Sequence, residues 1–330
     1  MSEIILEVKN LAKKFPVYGV AGRLAKPIKY VNAIDNITFS LNKGETYGLV
    51  GESGSGKTTT GSALLRLVKA DSGEIIFNKE DILKLSHKEF SKYRKDIQMI
   101  FQDPFSSLNP RKTIGQILEE PLIIHKMGNT LERREKVFNI INTVGLQQEH
   151  YFRYPHEFSG GQRQRVGIAR TIITNPKIII CDEPVSALDV SVQSQILNLL
   201  KYIQKEFGIT FMFISHDISV VKYISHRIGV MYLGRIVEEG TTEELFTNPM
   251  HPYTRALFSA VPQIGRERVK VKDITGEISK ENNIEEGCTF YNRCPKATSI
   301  CKDTKVPETN IGWHRFFCHN LDCSEDDVKK

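Results

Sequence analysis

Apolar and polar positions alternate from the start of the chain. Ile4, Leu6 and Val8 share one face, and the pattern predicts a strand over 4–15 followed by a turn. Ile34, Ile37, Phe39 and Leu41 predict a second strand over 33–41, closed by the turn Asn42-Lys43-Gly44. The stretch 16–31 between them is richer in Gly, Pro and Lys and reads as a loop or insertion. A short apolar strand is expected over 46–50, then a helix carrying Leu64, Leu65, Leu67 and Val68. Asp71-Ser72-Gly73 reads as a turn before a strand at Ile75, Ile76 and Phe77. Residues 110–150 look mainly helical, with Ile114, Ile117 and Leu118 at helical spacing. Val166, Ala169, Ile172 and Ile173 mark one face of another helix within 161–173. The apolar runs at 177–181 and 211–215 suit buried parallel strands. Strands alternating with helices imply an α/β fold with a parallel core, and 4–41 an added antiparallel β layer. Beyond about residue 262 the periodicity fades into a cysteine-bearing tail, and no internal repeat is visible.

Composition narrows this little. The 330 residues are 40% hydrophobic and 25% charged, which excludes a disordered or collagen-like chain. That length suits one large α/β unit with an extension, or two domains. No apolar run approaches the roughly 18 to 20 residues of a membrane helix, and the opening MSEIILEVKN has no apolar signal core. The expectation is an intracellular chain whose membrane role comes through a partner. A net charge of +6 without a Lys/Arg stripe gives no reason to expect nucleic acid.

Chemistry enters at Gly51-Glu52-Ser53-Gly54-Ser55-Gly56-Lys57-Thr58, a full G-x-x-x-x-G-K-[ST] phosphate loop placed between an expected strand and an expected helix. Its glycines let backbone N–H groups face phosphate oxygens, and the helix start that follows, with Thr58 and Thr59, adds partial positive charge. Lys57 is expected on the β and γ phosphates and Thr58 on Mg²⁺. Asp182 and Glu183 end the apolar strand 178–181 at the edge where open α/β sheets bind ligands. Asp182 suits the Mg²⁺ shell, and Glu183 suits a general base for the attacking water. Cys181 reads as a core thiol. A third element, Phe158-Ser159-Gly160-Gly161-Gln162, opens a helix with Ser159 as N-cap and offers a second anion site. Two such sites in one chain suggest that each nucleotide is shared between two chains.

SGGQ between a phosphate loop and an acid-ended strand resembles the ATP-binding cassette (ABC) ATPases, over roughly residues 3–262. Leu is commoner where this chain has Phe158. The resemblance implies a P-loop NTPase core, an antiparallel β layer, a helical subdomain at about 103–175, and binding of ATP and Mg²⁺. It places Gln102 of FQDP on Mg²⁺ and at the coupling to a membrane domain. It likewise places Ser186-Ala187-Leu188-Asp189 at a dimer seam, His216 on the γ-phosphate and Phe15 against adenine. The phrases at 102–114, 154–170 and 251–257 are similar to the ATPase subunits of oligopeptide and dipeptide importers, and the insertion at 16–31 to their F-type subunit. That likeness implies a D-type ATPase partner in a heterodimer, two transmembrane permease subunits, and a peptide-binding protein reached through them. It also implies a peripheral position on the cytoplasmic face of the membrane. Importers of nickel or other small solutes share these phrases and stay as an alternative. A soluble ABC ATPase acting on nucleic acid or ribosomes is less favoured, because the 102 positions from Lys57 to Ser159 leave no room for a coiled coil.

Residues 263–330 form a small Cys-rich C-terminal extension. Cys288, Cys294, Cys301 and Cys318 could close a zinc site or a [4Fe–4S] cluster, with free thiols as the plain alternative. The extension also resembles the C-terminal element of peptide-importer ATPases, where a [4Fe–4S] cluster occurs. Cys323 is spare, and His314 and His319 read as surface residues in preference to substitute ligands. Little apolar material is visible in this tail, so a metal staple would explain its folding.

Overall fold

The computed structural model describes residues 3–18, 26–103, 108–259 and 287–320. They fall into two compact units, one of residues 1–6, 41–46 and 77–214, the other of residues 7–40, 47–76 and 215–330. The strands are β1 (Ile4–Val17), β2 (Lys29–Asn42), β3 (Thr46–Val50), β4 (Ser72–Phe77), β5 (Glu80–Asp81), β6 (Ile97–Ile100), β7 (Ile178–Asp182), β8 (Thr210–Ser215), β9 (Arg227–Tyr232), β10 (Arg235–Thr241), β11 (Glu308–Ile311) and β12 (His314–Phe317).

In the first unit β6, β7 and β8 run parallel, with Met99 opposite Ile180 and Ile180 opposite Met212. β7 and β8 are buried at every position, which accounts for their nearly continuous apolar runs. The helices of this unit begin where side chains cap them. Thr113 and Gln116 form a capping box for Ile114–Ile124, and Asn129 and Glu132 do the same for Thr130–Thr143. The long helix Val190–Phe207 stops at Gly208, whose φ of 65° suits glycine.

In the second unit β2, β1 and β4 adjoin in that order. β3 pairs parallel with β9, and β9 pairs antiparallel with β10. Three local expectations change. The helix after the phosphate loop covers only Lys57–Leu64. Arg66 takes a φ of 54°, which breaks the helix before Leu67 and Val68. Ser72 and Gly73 already belong to β4, where Gly73 lets the strand pass Leu11 so closely that a Cβ would lie 2.6 Å from its Cα. Lys29–Val31, expected in a loop, is strand, while 19–25 lies outside the described residues.

The tail differs most from expectation. β11 and β12 form a hairpin through Gly312-Trp313, and β12 adds to β10 with Glu238 opposite Phe316. Phe290 and Phe316 are fully buried. His314, expected at the surface, is buried and sits 2.6 Å from the buried carboxylate of Glu238. Strands of four residues are too short to show a period, which is why strand addition was not visible in the sequence.

Candidate functional site

The second unit carries the phosphate loop. β3 is buried throughout and delivers the chain to Gly51, whose φ of 153° is followed by positive φ at Gly54 (78°) and Gly56 (109°). A Cβ at Gly51 would meet Met231 O at 2.1 Å, and one at Gly56 would meet Ala33 O at 2.0 Å. Only glycine fits there, so these residues combine unusual backbone angles with close approach to a neighbouring strand. Gly56 caps the helix Lys57–Leu64 without a side-chain hydrogen bond, as an anion-receiving helix start requires. Lys57 is buried, and its ammonium donates to Gly51 O (2.8 Å) and Glu52 O (3.0 Å). Ser53, Gly54 and Thr58 are exposed, and Ser55 is buried.

His216 and Phe15 also belong to this unit. His216 is exposed immediately after β8. Ser215 Oγ accepts from Asp217 N–H (3.0 Å), and Asp217 caps the helix Ile218–Ile224 through Ser219 N–H (2.8 Å). Its neighbours on both sides are therefore tied down. Phe15 is 40% exposed on β1, with Lys13 Nζ 5.3 Å from its ring centroid.

The first unit carries the carboxylates. Asp182 is buried at the end of β7. Glu183 follows with a φ of 47°, an unusual angle for glutamate of the kind that concentrates at functional sites. Its N–H donates to Ile214 O (2.9 Å), and Ser186 Oγ donates to its carbonyl (3.1 Å). Its Oε2 accepts from Gln102 Nε2 at 2.9 Å. Gln102 thus comes together with the local turn that holds Glu183 and Ser186.

Ser159 is the N-cap of the helix Gly160–Ile172, in a reciprocal box with Gln162 (Ser159 N–H to Gln162 Oε1 3.0 Å, Gln162 N–H to Ser159 Oγ 3.3 Å). Gly161 has a packing reason as well, since a Cβ there would lie 2.5 Å from Val192 Cγ1. Asp189 is exposed and caps the helix Val190–Phe207 without a side-chain hydrogen bond.

Oxygen donors such as the Thr58 hydroxyl and the Asp182 carboxylate suit Mg²⁺, a hard cation. The four tail thiols share one locality. Burial pushes the Cys288 thiol up to about 12, and the charges of Cys294, Cys318 and Cys301 add to the rise. Cys288 N–H also donates to Cys301 O (2.8 Å). Among the described residues no group of three or more His, Cys, Asp or Glu side chains is set to hold a single metal ion. No described helix is long and apolar enough to cross a membrane. Cys323 lies outside the described residues.

Sequence reasoning missed the supports of the phosphate loop. Glu52 N–H donates to the buried Tyr253 Oη (2.9 Å), and Arg293 binds the Glu52 carboxylate. The motif leaves position 52 unspecified, and Tyr253 stood inside HPYTRAL with no role attached.

Comparison with known proteins adds the following. Residues 34–186 match the family model described as "ABC transporter", and residues 237–301 match "Oligopeptide/dipeptide transporter, C-terminal region". The oligopeptide transport ATP-binding protein AppF of Bacillus subtilis is 50% identical over 313 residues, covering 93% of each chain. The dipeptide transport ATP-binding protein DppF of Haemophilus influenzae is 48% identical over 305 residues, covering 91% of each. Among solved structures, a dimeric ATP-binding cassette in a post-hydrolysis state with ADP and Pi aligns at a TM-score of 0.63 and 30% identity. That alignment covers 72% of this chain and 98% of the other.

Proposed function

The chain belongs to the ABC transporter family of ATP-binding subunits, and we propose that it powers the uptake of oligopeptides or dipeptides by hydrolysing ATP. The observation that carries the peptide assignment is the C-terminal match at 237–301, joined to relatives named for peptide transport along nine-tenths of the chain. The experiment is reconstitution with the permeases that co-purify from membranes, followed by ATP-driven uptake of labelled di- and oligopeptides. Uptake of a nickel salt or another small solute with no peptide uptake would overturn it.

In this reading Lys57 and the N–H groups of Gly51, Ser53, Gly54, Ser55, Gly56, Thr58 and Thr59 hold the phosphates. Thr58, Asp182 and Gln102 would hold Mg²⁺, which supplies positive charge to the phosphate oxygens. Glu183 takes the proton of the attacking water and Gln102 aligns its carboxylate. His216 contacts the γ-phosphate, and Phe15 stacks on the adenine. The helix start at Ser159, Gly160, Gly161 and Gln162, with Asp189, serves the nucleotide of a second chain, a D-type ATPase. Two permease subunits, and through them a peptide-binding protein, complete the assembly on the cytoplasmic face of the membrane.

We further propose that Cys288, Cys294, Cys301 and Cys318 ligate a [4Fe–4S] cluster. A single zinc at about 2.3 Å from each sulfur needs the four within about 4 Å of one another. A cluster cage accepts ligands spread wider. Iron and acid-labile sulfide in anaerobically purified protein would support this reading, and their absence would sink it.

A further inference from the structure

Glu52 is an acid inside a loop built to receive anions, and every polar group it has is held. Its N–H donates to Tyr253 Oη (2.9 Å), and its carbonyl accepts from Lys57 Nζ (3.0 Å) and Ser55 N–H (3.2 Å). Its carboxylate takes a two-pronged contact from Arg293, with Nη1 to Oε2 at 2.9 Å and Nη2 to Oε1 at 3.1 Å. Arg293 lies 241 residues along the chain, immediately before Cys294. Its side chain is 13% exposed and that of Glu52 25%, so water screens the pair only partly.

Arg293 is itself fixed. Nη1 reaches Tyr232 Oη at 3.3 Å, and the guanidinium stands 5.7 Å from the Tyr232 ring centroid. Tyr232 and Tyr253 are 4.7 Å apart, and Phe290, three residues before Arg293, packs on them at 5.3 and 5.5 Å. The cysteine-bearing segment therefore reaches the phosphate loop through a seated aromatic cluster and ends there in a charge.

A carboxylate in this loop opposes phosphate binding unless a cation balances it. We propose that Arg293 is a positioning residue of the phosphate loop: it neutralises Glu52 and aims its side chain away from the nucleotide, so that the C-terminal segment sets the affinity for ATP. A bidentate guanidinium does this better than lysine, because it fixes direction as well as charge.

The inference rests on the phosphate-loop reading, and Lys57→Ala separates the two. If that variant of the full chain binds Mg-ATP normally, the loop reading itself fails. With that control behaving as expected, Mg-ATP titrations compare Arg293→Gln, Glu52→Gln and the double variant, with melting temperatures alongside. Arg293→Gln should weaken Mg-ATP about tenfold, from one uncompensated charge at partly screened distance, and less at high salt. Glu52→Gln should bind as tightly as the natural chain or tighter. The double variant should return to within about twofold of it, because removing the acid removes the need for the cation. A tie that was only structural would leave the double variant as weak as Arg293→Gln, and that result overturns the proposal. So does unchanged binding in Arg293→Gln. Should Arg293→Gln not fold, Glu52→Gln decides alone, since a clear loss of ATP affinity there contradicts the balance of charges.

Discussion

Glu183 Oε2 accepts a hydrogen bond from Gln102 Nε2 at 2.9 Å, bringing together residues 81 positions apart. The amide holds the carboxylate in one orientation, as the proposed role on water would need. Glu183→Gln should lower ATP turnover by about 10²- to 10⁴-fold, the usual range for a lost general base, with Mg-ATP affinity changed less than about threefold. Gln102→Ala should lower turnover by a smaller factor, since it removes alignment and keeps the base. Turnover and nucleotide titration on the assembled transporter check both.

Gly161 reads in the sequence as an anion-binding glycine, and the structure gives it a steric duty as well. A Cβ there meets Val192 Cγ1 at 2.5 Å. Gly161→Ala should cost about 1–3 kcal/mol through overpacking. The companion change Val192→Ala should recover part of it. Thermal unfolding of the single and double variants measures this apart from activity.

Stability should depend on pH through His251. Burial holds its imidazole down to about 4, with Glu238 pulling the other way. Its Nδ1 accepts from Tyr253 N–H at 3.1 Å, a bond that protonation removes. The unfolded chain titrates near 6.5, so between about 6.5 and about 4 it binds the extra proton. Stability is therefore complete above about 6.5 and falls as pH drops, by at most about 3 kcal/mol at pH 4. His251→Asn keeps an acceptor without the titration, and should flatten that part of a curve of urea midpoint against pH.

Phe290 is fully buried against Tyr232, Tyr253 and His251. Phe290→Ala should cost about 3–5 kcal/mol of local stability, as large aromatic truncations do. The loss should appear as faster proteolysis between 287 and 320, with little change in cleavage of the first unit.

Much of this was legible in the sequence because the informative features are local. The phosphate loop, its helix, the acid-ended strand and the Ser159 cap each occupy a few consecutive residues whose chemistry depends on spacing. The uniform apolarity of 178–181 and 211–215 likewise announced buried parallel strands. What the sequence hid were pairings across long separations between short pieces. The two four-residue strands β11 and β12 have no period, and Arg293 and Glu52 show no complementarity until folding brings them together. His314 looked like a surface residue because the carboxylate it meets, Glu238, lies 76 positions earlier.

Strand β12 has one more effect. An open sheet edge offers unpaired N–H and C=O groups to any other extended chain, and is a common seed of aggregation. β10 carries the buried pair Glu238 and Glu239, which β12 closes over with His314 and Arg315. Beyond it β11 is brief, preceded by Pro307 and carrying Glu308 and Asn310 within its four residues, a poor template for a further strand. The tail thus serves as a selvedge for the sheet. A chain shortened to the cassette alone would keep its catalytic motifs but leave the β10 edge open, with Glu238 and Glu239 stripped of His314 and Arg315, so its solubility should fall along with its affinity for ATP.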